Sequence, residues 1–152
     1  MRISVLMFSL LGLVASSFSL AAGDRGTPEE AKALVKKAIT FYKTNGKDKT
    51  MTALNDAKGA FVDRDLYVFV HDDKGIYYAI APKPNFIGKD MTGVKDANGK
   101  LIVKEQIDAL KTSNSMWQEY HWQNPVNQKI EPKKTYCEKH ENLHFCSGAY
   151  TS

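Results

Sequence analysis

The chain has 152 residues, of which 43% are hydrophobic and 25% are charged, and this composition is typical of one folded domain. Its formal net charge of +4 is small and spread along the chain, which argues against nucleic acid as a partner. Two cysteines are too few for a disulfide scaffold or for a zinc module with four thiolate ligands.

The first 22 residues have the anatomy of a secretory signal peptide. Met1-Arg2 is a short positive start, residues 3–20 are almost entirely apolar, and Ser19 and Ala21 are small residues suited to a cleavage site. The alternative is an uncleaved membrane anchor, because the apolar run is nearly long enough to span a bilayer. We expect a signal peptide at 1–22, a single domain at 23–152, and secretion across an inner membrane into the periplasm.

The domain opens with a helix signal. Thr27 can cap a helix, Pro28 suits its first position, and Glu30 completes a capping box. Apolar residues then recur at helical spacing as far as Gly46, which suits a helix end. The pattern predicts a long amino-terminal helix and a second, weaker one over 48–57.

Two strands joined by a turn follow the helices. Residues 66–71 alternate two largely apolar sets, as in a central strand covered on both faces, and 76–81 form the return strand. If His71 pairs with Ile76, one face carries Tyr67, Phe69, His71, Ile76, Tyr78 and Ile80. The other face carries Leu66, Val68, Val70, Tyr77 and Ala79, which suit a packed helix.

The rest of the chain predicts a loop-rich stretch over 82–100, a helix over 101–111, a strand over 116–122, a loop over 124–133 and a terminal hairpin over 134–150. Long loops within compact domains are often functional. The expected fold class is α+β, with the long helix packed on a five-stranded antiparallel meander.

Several short phrases stand in one register along the chain. They are Leu66-Tyr67-Val68-Phe69-Val70, Ile87-Gly88-Lys89-Asp90-Met91, Lys95-Asp96-Ala97-Asn98-Gly99-Lys100, Trp117-Gln118-Glu119-Tyr120-His121-Trp122 with Asn124-Pro125, Glu131-Pro132-Lys133 with Thr135-Tyr136, and Ser147-Gly148-Ala149-Tyr150. In order and spacing they resemble the single Cache domain of type 2, over about residues 27–150. The resemblance implies an extracytoplasmic sensor module with a PAS-like sheet.

This resemblance also implies a site and its partners. Small organic ligands, often short carboxylates, would bind on the sheet face away from the long helix, without catalysis and without a cofactor. A membrane-bound sensor or chemoreceptor would be a further partner. Carried over position by position, the ligand-binding residues would be Tyr67, Phe69, Tyr78, Tyr120, Trp122, Lys133 and Tyr136. Lys133 is expected at the mouth of the penultimate strand, where its ammonium can meet a carboxylate.

Two positions depart from the family pattern. Phe69 stands where a tryptophan is common, and Ile80 stands where a histidine is frequent. The loss of that polar group leaves an alternative function open, in which the pocket is closed by hydrophobic residues and the domain docks onto a membrane sensor without a ligand. The sequence also has no second apolar run for a membrane exit, so it resembles free-standing exported members.

The two cysteines face each other across the predicted hairpin. A two-residue turn at 141–142 pairs Cys137 with Cys146 at a non-hydrogen-bonded position, where side chains approach most closely. Export to an oxidising compartment favours a disulfide between them. We expect no metal site here, because His140 would point away from the face that carries His144 and the cysteines.

Catalytic motifs are also missing from the sequence. It has no nucleophile elbow, no paired zinc motif and no phosphate-binding loop. The adjacent Asp72 and Asp73 are explained by an aspartate-rich turn before Gly75. We therefore expect a binding protein and not an enzyme.

Overall fold

A computed structural model describes residues 23–152, and the expected signal peptide lies outside the described residues. Its helices are α1 (Pro28–Asn45), α2 (Lys47–Asn55) and α3 (Ile102–Leu110). Its strands are β1 (Val62–Asp63), β2 (Leu66–Asp72), β3 (Tyr77–Ile80), β4 (Ser115–Gln123), β5 (Ile130–His140) and β6 (Leu143–Tyr150). Within this part of the chain, no helix is both long and apolar enough to cross a membrane.

Helix α1 begins and ends where the sequence predicts. The Thr27 hydroxyl accepts from the Glu30 backbone N–H, and the Glu30 carboxylate accepts from the Thr27 N–H, so the capping box is complete. Gly46 has φ of 79°, a left-handed conformation that favours glycine, and it ends the helix. The buried stripe of α1 lies against the sheet and consists of Ala31, Val35, Ala38 and Ile39.

The sheet is antiparallel but it is not the expected meander. Its order is β1-β2-β6-β5-β4, and β3 pairs with β2 as well, so there are six strands where five were predicted. Strand β6 therefore lies between β2 and β5. Every residue of β2 is buried, because both edges of the strand are paired and both faces are covered, one by the helices and the other by α3 and the loop before it.

A β-bulge changes the predicted pairing of β2 with β3. His71 pairs with Tyr77 and not with Ile76, and the register shifts between Val70 and His71. A bulge places one extra residue on one strand, so the alternation of faces is interrupted there. As a result Tyr77 joins the pocket face, and Tyr78 packs on the helix face beside Ala79. The predicted faces of these two tyrosines were wrong.

Strand β5 is longer than predicted and absorbs part of the expected loop. Lys133 pairs with Tyr120 of β4 and with Tyr150 of β6, so it lies inside the sheet and not at a strand mouth. Tyr136 lies three residues further along the same strand. Because side chains alternate along a regular strand, Lys133 and Tyr136 point to opposite faces.

The sheet separates two hydrophobic clusters. The helix-side cluster packs under α1 and α2 and includes Val35, Leu54, Val68, Val70, Tyr136 and Phe145. The pocket-side cluster lies beneath α3 and the loop before it, and includes Tyr67, Phe69, Tyr77, Met91 and Val103. The site described below is therefore on the face of the sheet opposite α1.

The expected disulfide joins Cys137 and Cys146, which are directly opposite in the β5–β6 pairing. Both residues are fully buried on the pocket side of the sheet. Reduction should lower the melting temperature, because a short closed loop contributes about 2–3 kcal/mol in the chain-entropy model. Thiol titration of the native protein checks the bond, and two reactive thiols before reduction would contradict it.

Candidate functional site

An aromatic pocket lies on the sheet face opposite α1. Strand β2 contributes Tyr67 and Phe69, and β4 contributes Tyr120 and Trp122. Strand β3, the loop that follows it and α3 complete the wall with Tyr77, Ile80, Phe86, Met91, Val94, Ile102 and Val103. The free space inside is about 20 Å³, which is room for about one water molecule.

The aromatic rings pack closely around this space. Phe69 and Tyr77 are stacked, with centroids 5.9 Å apart, and Tyr120 meets Trp122 edge-on at 6.3 Å. Burial raises the pKa of Tyr67, Tyr77 and Tyr120, and the nearby Tyr67 hydroxyl adds to the rise for Tyr120. These hydroxyls stay protonated at any ordinary pH, so they can donate hydrogen bonds to a ligand.

Lys133 is 1% exposed and is the largest fully buried side chain of the pocket face. Its Nζ donates to the Tyr67 hydroxyl at 2.9 Å and lies 4.1 Å from the centroid of the same ring. The ring of Tyr150 lies 5.1 Å from Nζ on another side. Such contacts with aromatic faces stabilise a cation.

Lys133 has no anionic partner in the part of the chain that the structure describes. None of the ion pairs among residues 23–152 includes it. Burial lowers the pKa of Lys133 to about 7, although the charge of Asp65 opposes this. The ammonium therefore loses most of its hydration without gaining a compensating carboxylate.

Gly148 of β6 makes room for the lysine. A Cβ at this position would be 2.9 Å from Lys133 Cε and 2.1 Å from Thr135 Oγ1. Because Gly148 has no side chain, the stem of Lys133 can pass over β6 and reach Tyr67 on β2. The Thr135 hydroxyl in turn donates to the Tyr120 hydroxyl at 3.1 Å and fixes that ring.

A polar cleft adjoins the aromatic pocket. Lys133 and Tyr120 line it together with Lys100, Glu119 and His121, and its volume is about 330 Å³. The loop at its edge is fastened by Asp96, whose carboxylate accepts from the backbone N–H groups of Asn98, Lys100 and His121 at 2.9–3.0 Å. Lys133, which lies against Tyr67 of the aromatic pocket, therefore also borders this cleft.

The structure brings together most of the residues predicted for the site. Tyr67, Phe69, Tyr120 and Trp122 line the pocket, and Lys133 lies against Tyr67. Ile80 also lines it, at the position where the family often has histidine.

Two predicted residues lie elsewhere. The Tyr78 hydroxyl donates to Asp72 and its ring lies 3.9 Å below Lys47 Nζ, on the helix side. The Tyr136 hydroxyl donates to Glu138, also on the helix side. Neither residue reaches the pocket, because of the bulge in the first case and strand alternation in the second.

Sequence reasoning missed Tyr77 and the covering residues Phe86, Met91, Val94, Ile102 and Val103. Tyr77 was assigned to the opposite face because no sequence signal marked the bulge. The covering residues lie in the loop-rich stretch and in α3, where apolar residues separated by glycine and proline were the available signal.

A helix-covered antiparallel sheet with a closed pocket on its other face is the architecture of PAS-like sensor domains. A model of the family described as single Cache domain 2 matches residues 2–150 of the chain. The protein belongs to this family, whose members are sensor-type ligand-binding domains. No curated protein matches the sequence.

Solved structures have the same fold. A methyl-accepting chemotaxis protein from Vibrio parahaemolyticus RIMD 2210633 is 25% identical, with a TM-score of 0.71 over 80% of this chain and 86% of its own. A Cache chemosensory domain described for carboxylic acid recognition is 20% identical, with a TM-score of 0.70 over 82% and 92%. A periplasmic sensor domain of a chemotaxis protein is 22% identical, with a TM-score of 0.64 over 82% and 90%.

Proposed function

We propose that this protein is an exported, periplasmic sensor domain that binds a short organic carboxylate without catalysis. The observation that carries the proposal is the buried ammonium of Lys133, which has no carboxylate partner in the described chain. A buried charge is stable only when it is paired, so a ligand anion would supply the negative charge that the domain does not place beside Lys133. The chemosensory relative described for carboxylic acid recognition supports the same chemistry.

The surroundings of Lys133 favour a small ligand. The hydroxyls of Tyr67 and Tyr120 can donate to the second carboxylate oxygen, and the rings around them suit a short apolar tail. The free space of about 20 Å³ is too small for such a molecule in the present conformation. We therefore expect binding to move the loop and α3 that cover the pocket.

The affinity for a carboxylate should depend on pH in a defined direction. Only the protonated lysine attracts the anion, and burial lowers the pKa of Lys133 to about 7. Affinity should therefore be highest below pH 7 and should fall above it by up to about tenfold per pH unit. Calorimetric titration with acetate and propionate at pH 6 and pH 9 checks this, and equal affinities at both values would contradict it.

A second candidate function is a ligand-free module that docks onto a membrane sensor. Two observations favour it, namely Ile80 in place of a polar pocket residue and the very small free space. A thermal-shift screen of short carboxylic acids separates the two functions. A true ligand at a hundredfold excess over its Kd should stabilise the fold by about 2.7 kcal/mol. If no acid raises the melting temperature, the docking module is favoured.

A further inference from the structure

A buried chain of side-chain hydrogen bonds connects β2, α3 and β4. His71 Nε2 lies 3.0 Å from Gln106 Oε1, and Gln106 Nε2 donates to Gln118 Oε1 at 2.8 Å. Gln118 Nε2 donates to the backbone carbonyl of Ile102 at 3.1 Å. At the other end, His71 Nδ1 lies 3.0 Å from the backbone carbonyl of Asp72. His71 and Gln106 are both fully buried.

The direction of this chain is fixed by the carbonyl groups at its two ends. The Ile102 carbonyl can only accept, so the Gln118 amide nitrogen must face it and the Gln118 oxygen must accept from Gln106. The Gln106 oxygen is then left facing His71 Nε2. The Asp72 carbonyl also only accepts. Both ring nitrogens of His71 therefore face acceptors, and a neutral imidazole has one N–H.

We propose that His71 is a proton-binding site that gives this domain a second input, pH, in addition to any ligand. Protonation supplies the missing N–H, so that one ring nitrogen donates to Gln106 of α3 while the other donates to the Asp72 carbonyl. In the neutral ring the single N–H serves only one of these two acceptors, so the contact with Gln106 competes with the contact to the Asp72 carbonyl. The proposal does not depend on the identity of the ligand.

The groups packed against His71 set the proton affinity of the ring. The ring of Tyr77 from β3 lies 5.6 Å away, and the ring of His144 from β6 meets it edge-on at 4.9 Å. His144 Nε2 donates to Asp73 at 2.9 Å, and its buried Nδ1 has no partner among residues 23–152.

The charged groups lie one shell further out. Lys139 of β5 also binds the Asp73 carboxylate, at 2.9 Å, so that carboxylate is shared between a lysine and His144. At the far end of the chain, Gln118 Nε2 also lies 3.1 Å from the carboxylate of Glu105 on α3. Neither carboxylate touches His71.

These contacts oppose each other. Burial lowers the pKa of His71 to about 4, and the charge of His144 lowers it further. The contact with the Asp72 carbonyl, the Gln106 contact and the charge of the Asp72 carboxylate raise it. Because the folded pKa lies below the ordinary value of 6.5, the folded protein should lose stability as pH falls from about 6.5 toward 4. The ring is neutral at neutral pH and takes up its proton on acidification.

The chain reaches the cover of the aromatic pocket. Helix α3 carries Gln106, and its first turn supplies Ile102 and Val103 to the pocket wall. Only the protonated ring can donate to Gln106 of α3 without giving up the Asp72 carbonyl, so proton uptake changes how firmly the cover is held. Proton uptake at His71 is thereby coupled, through α3, to the mobility of the residues that cover the pocket.

Nitrogen-15 NMR of the histidine rings in the intact protein tests the proposal. In the wild type, both nitrogens of His71 should become protonated while the protein is still folded. In Gln118→Met, Gln106 is free to turn its amide nitrogen toward the neutral ring. The midpoint of His71 should then fall by about one to two pH units, which is ten- to hundredfold in proton affinity. Gln123→Met is the control, because Gln123 is on the same strand but takes no part in these hydrogen bonds, and it should leave the midpoint of His71 titration unchanged.

A second measurement covers the case in which Gln118→Met unfolds in acid. The protection factors of the α3 amides, which correct the exchange rates for the intrinsic effect of pH, should rise relative to those of β6 as His71 takes up its proton, because α3 is then held more firmly to β2. Relative protection factors that are unchanged or fall over the titration would overturn the proposal. A His71 ring that stays neutral until the wild type unfolds would overturn it as well.

Discussion

Replacing Lys133 with methionine is expected to weaken carboxylate binding by about ten- to hundredfold or more. The substitution removes the buried ammonium and keeps a stem of similar volume, so the pocket wall is preserved. A charge-assisted hydrogen bond contributes roughly 1.5–3 kcal/mol, which corresponds to that loss of affinity. Calorimetric titration of both proteins with the best acid from the screen measures it.

The same variant should be at least as stable as the wild type. Burial lowers the pKa of Lys133 from 10.5 to about 7, so this lysine destabilises the folded state relative to the unfolded chain below about pH 10.5, and the penalty is complete below about pH 7. The gain on substitution should be about 1–4 kcal/mol near pH 7 and should disappear in strong base. The sequence placed Lys133 at the mouth of a strand, whereas the structure buries it inside the sheet. Methionine is therefore the better substitution, because alanine would leave a buried cavity.

Lys134→Met is the matched control. Lys134 is the next residue of β5, and its Nζ lies 5.4 Å from the ring of Trp117, on the face away from the pocket. Its removal should change neither carboxylate affinity nor the pH dependence of binding. If Lys133→Met bound carboxylates as well as the wild type does, the anion would not lie at Lys133 and the proposed site would be wrong.

Phe145→Ala is expected to destabilise the fold by about 3–5 kcal/mol. Phe145 is fully buried on the helix side of β6, where its ring meets Tyr42 of α1 edge-on at 5.6 Å. Chemical denaturation measures the loss. Val68→Ala on the same face should cost less, about 1–3 kcal/mol, because it removes less buried volume.

Neither core substitution should change the affinity per folded molecule. Phe145 and Val68 lie across the sheet from Tyr67 and Lys133, so they touch none of the proposed ligand contacts. Binding is measured under conditions where each variant is fully folded. If Phe145→Ala weakened binding while Lys133→Met did not, the ligand would bind on the helix side of the sheet and the proposed site would be wrong.

The α+β class, the capped helix α1, the buried strand β2 and the cysteine pair could all be read from the sequence. Each depends on local chemistry or on a fixed period. The Thr27–Glu30 capping box involves residues three apart, and the hairpin register that joins Cys137 to Cys146 follows from a two-residue turn. The family resemblance supplied four aromatic residues that line the pocket.

The tertiary structure decided what depends on neighbours distant in the sequence. The bulge opposite His71 moved Tyr77 into the pocket and Tyr78 out of it, and β6 entered the sheet between β2 and β5. Lys133 is a core residue because β5 extends past it and because Gly148 of the neighbouring strand β6 leaves space for its stem. The periodicity of a strand or helix is set by the backbone of that one segment, whereas its burial and register are set by the elements that pack against it. For this reason the sequence pattern determined the fold class, and tertiary packing determined the site.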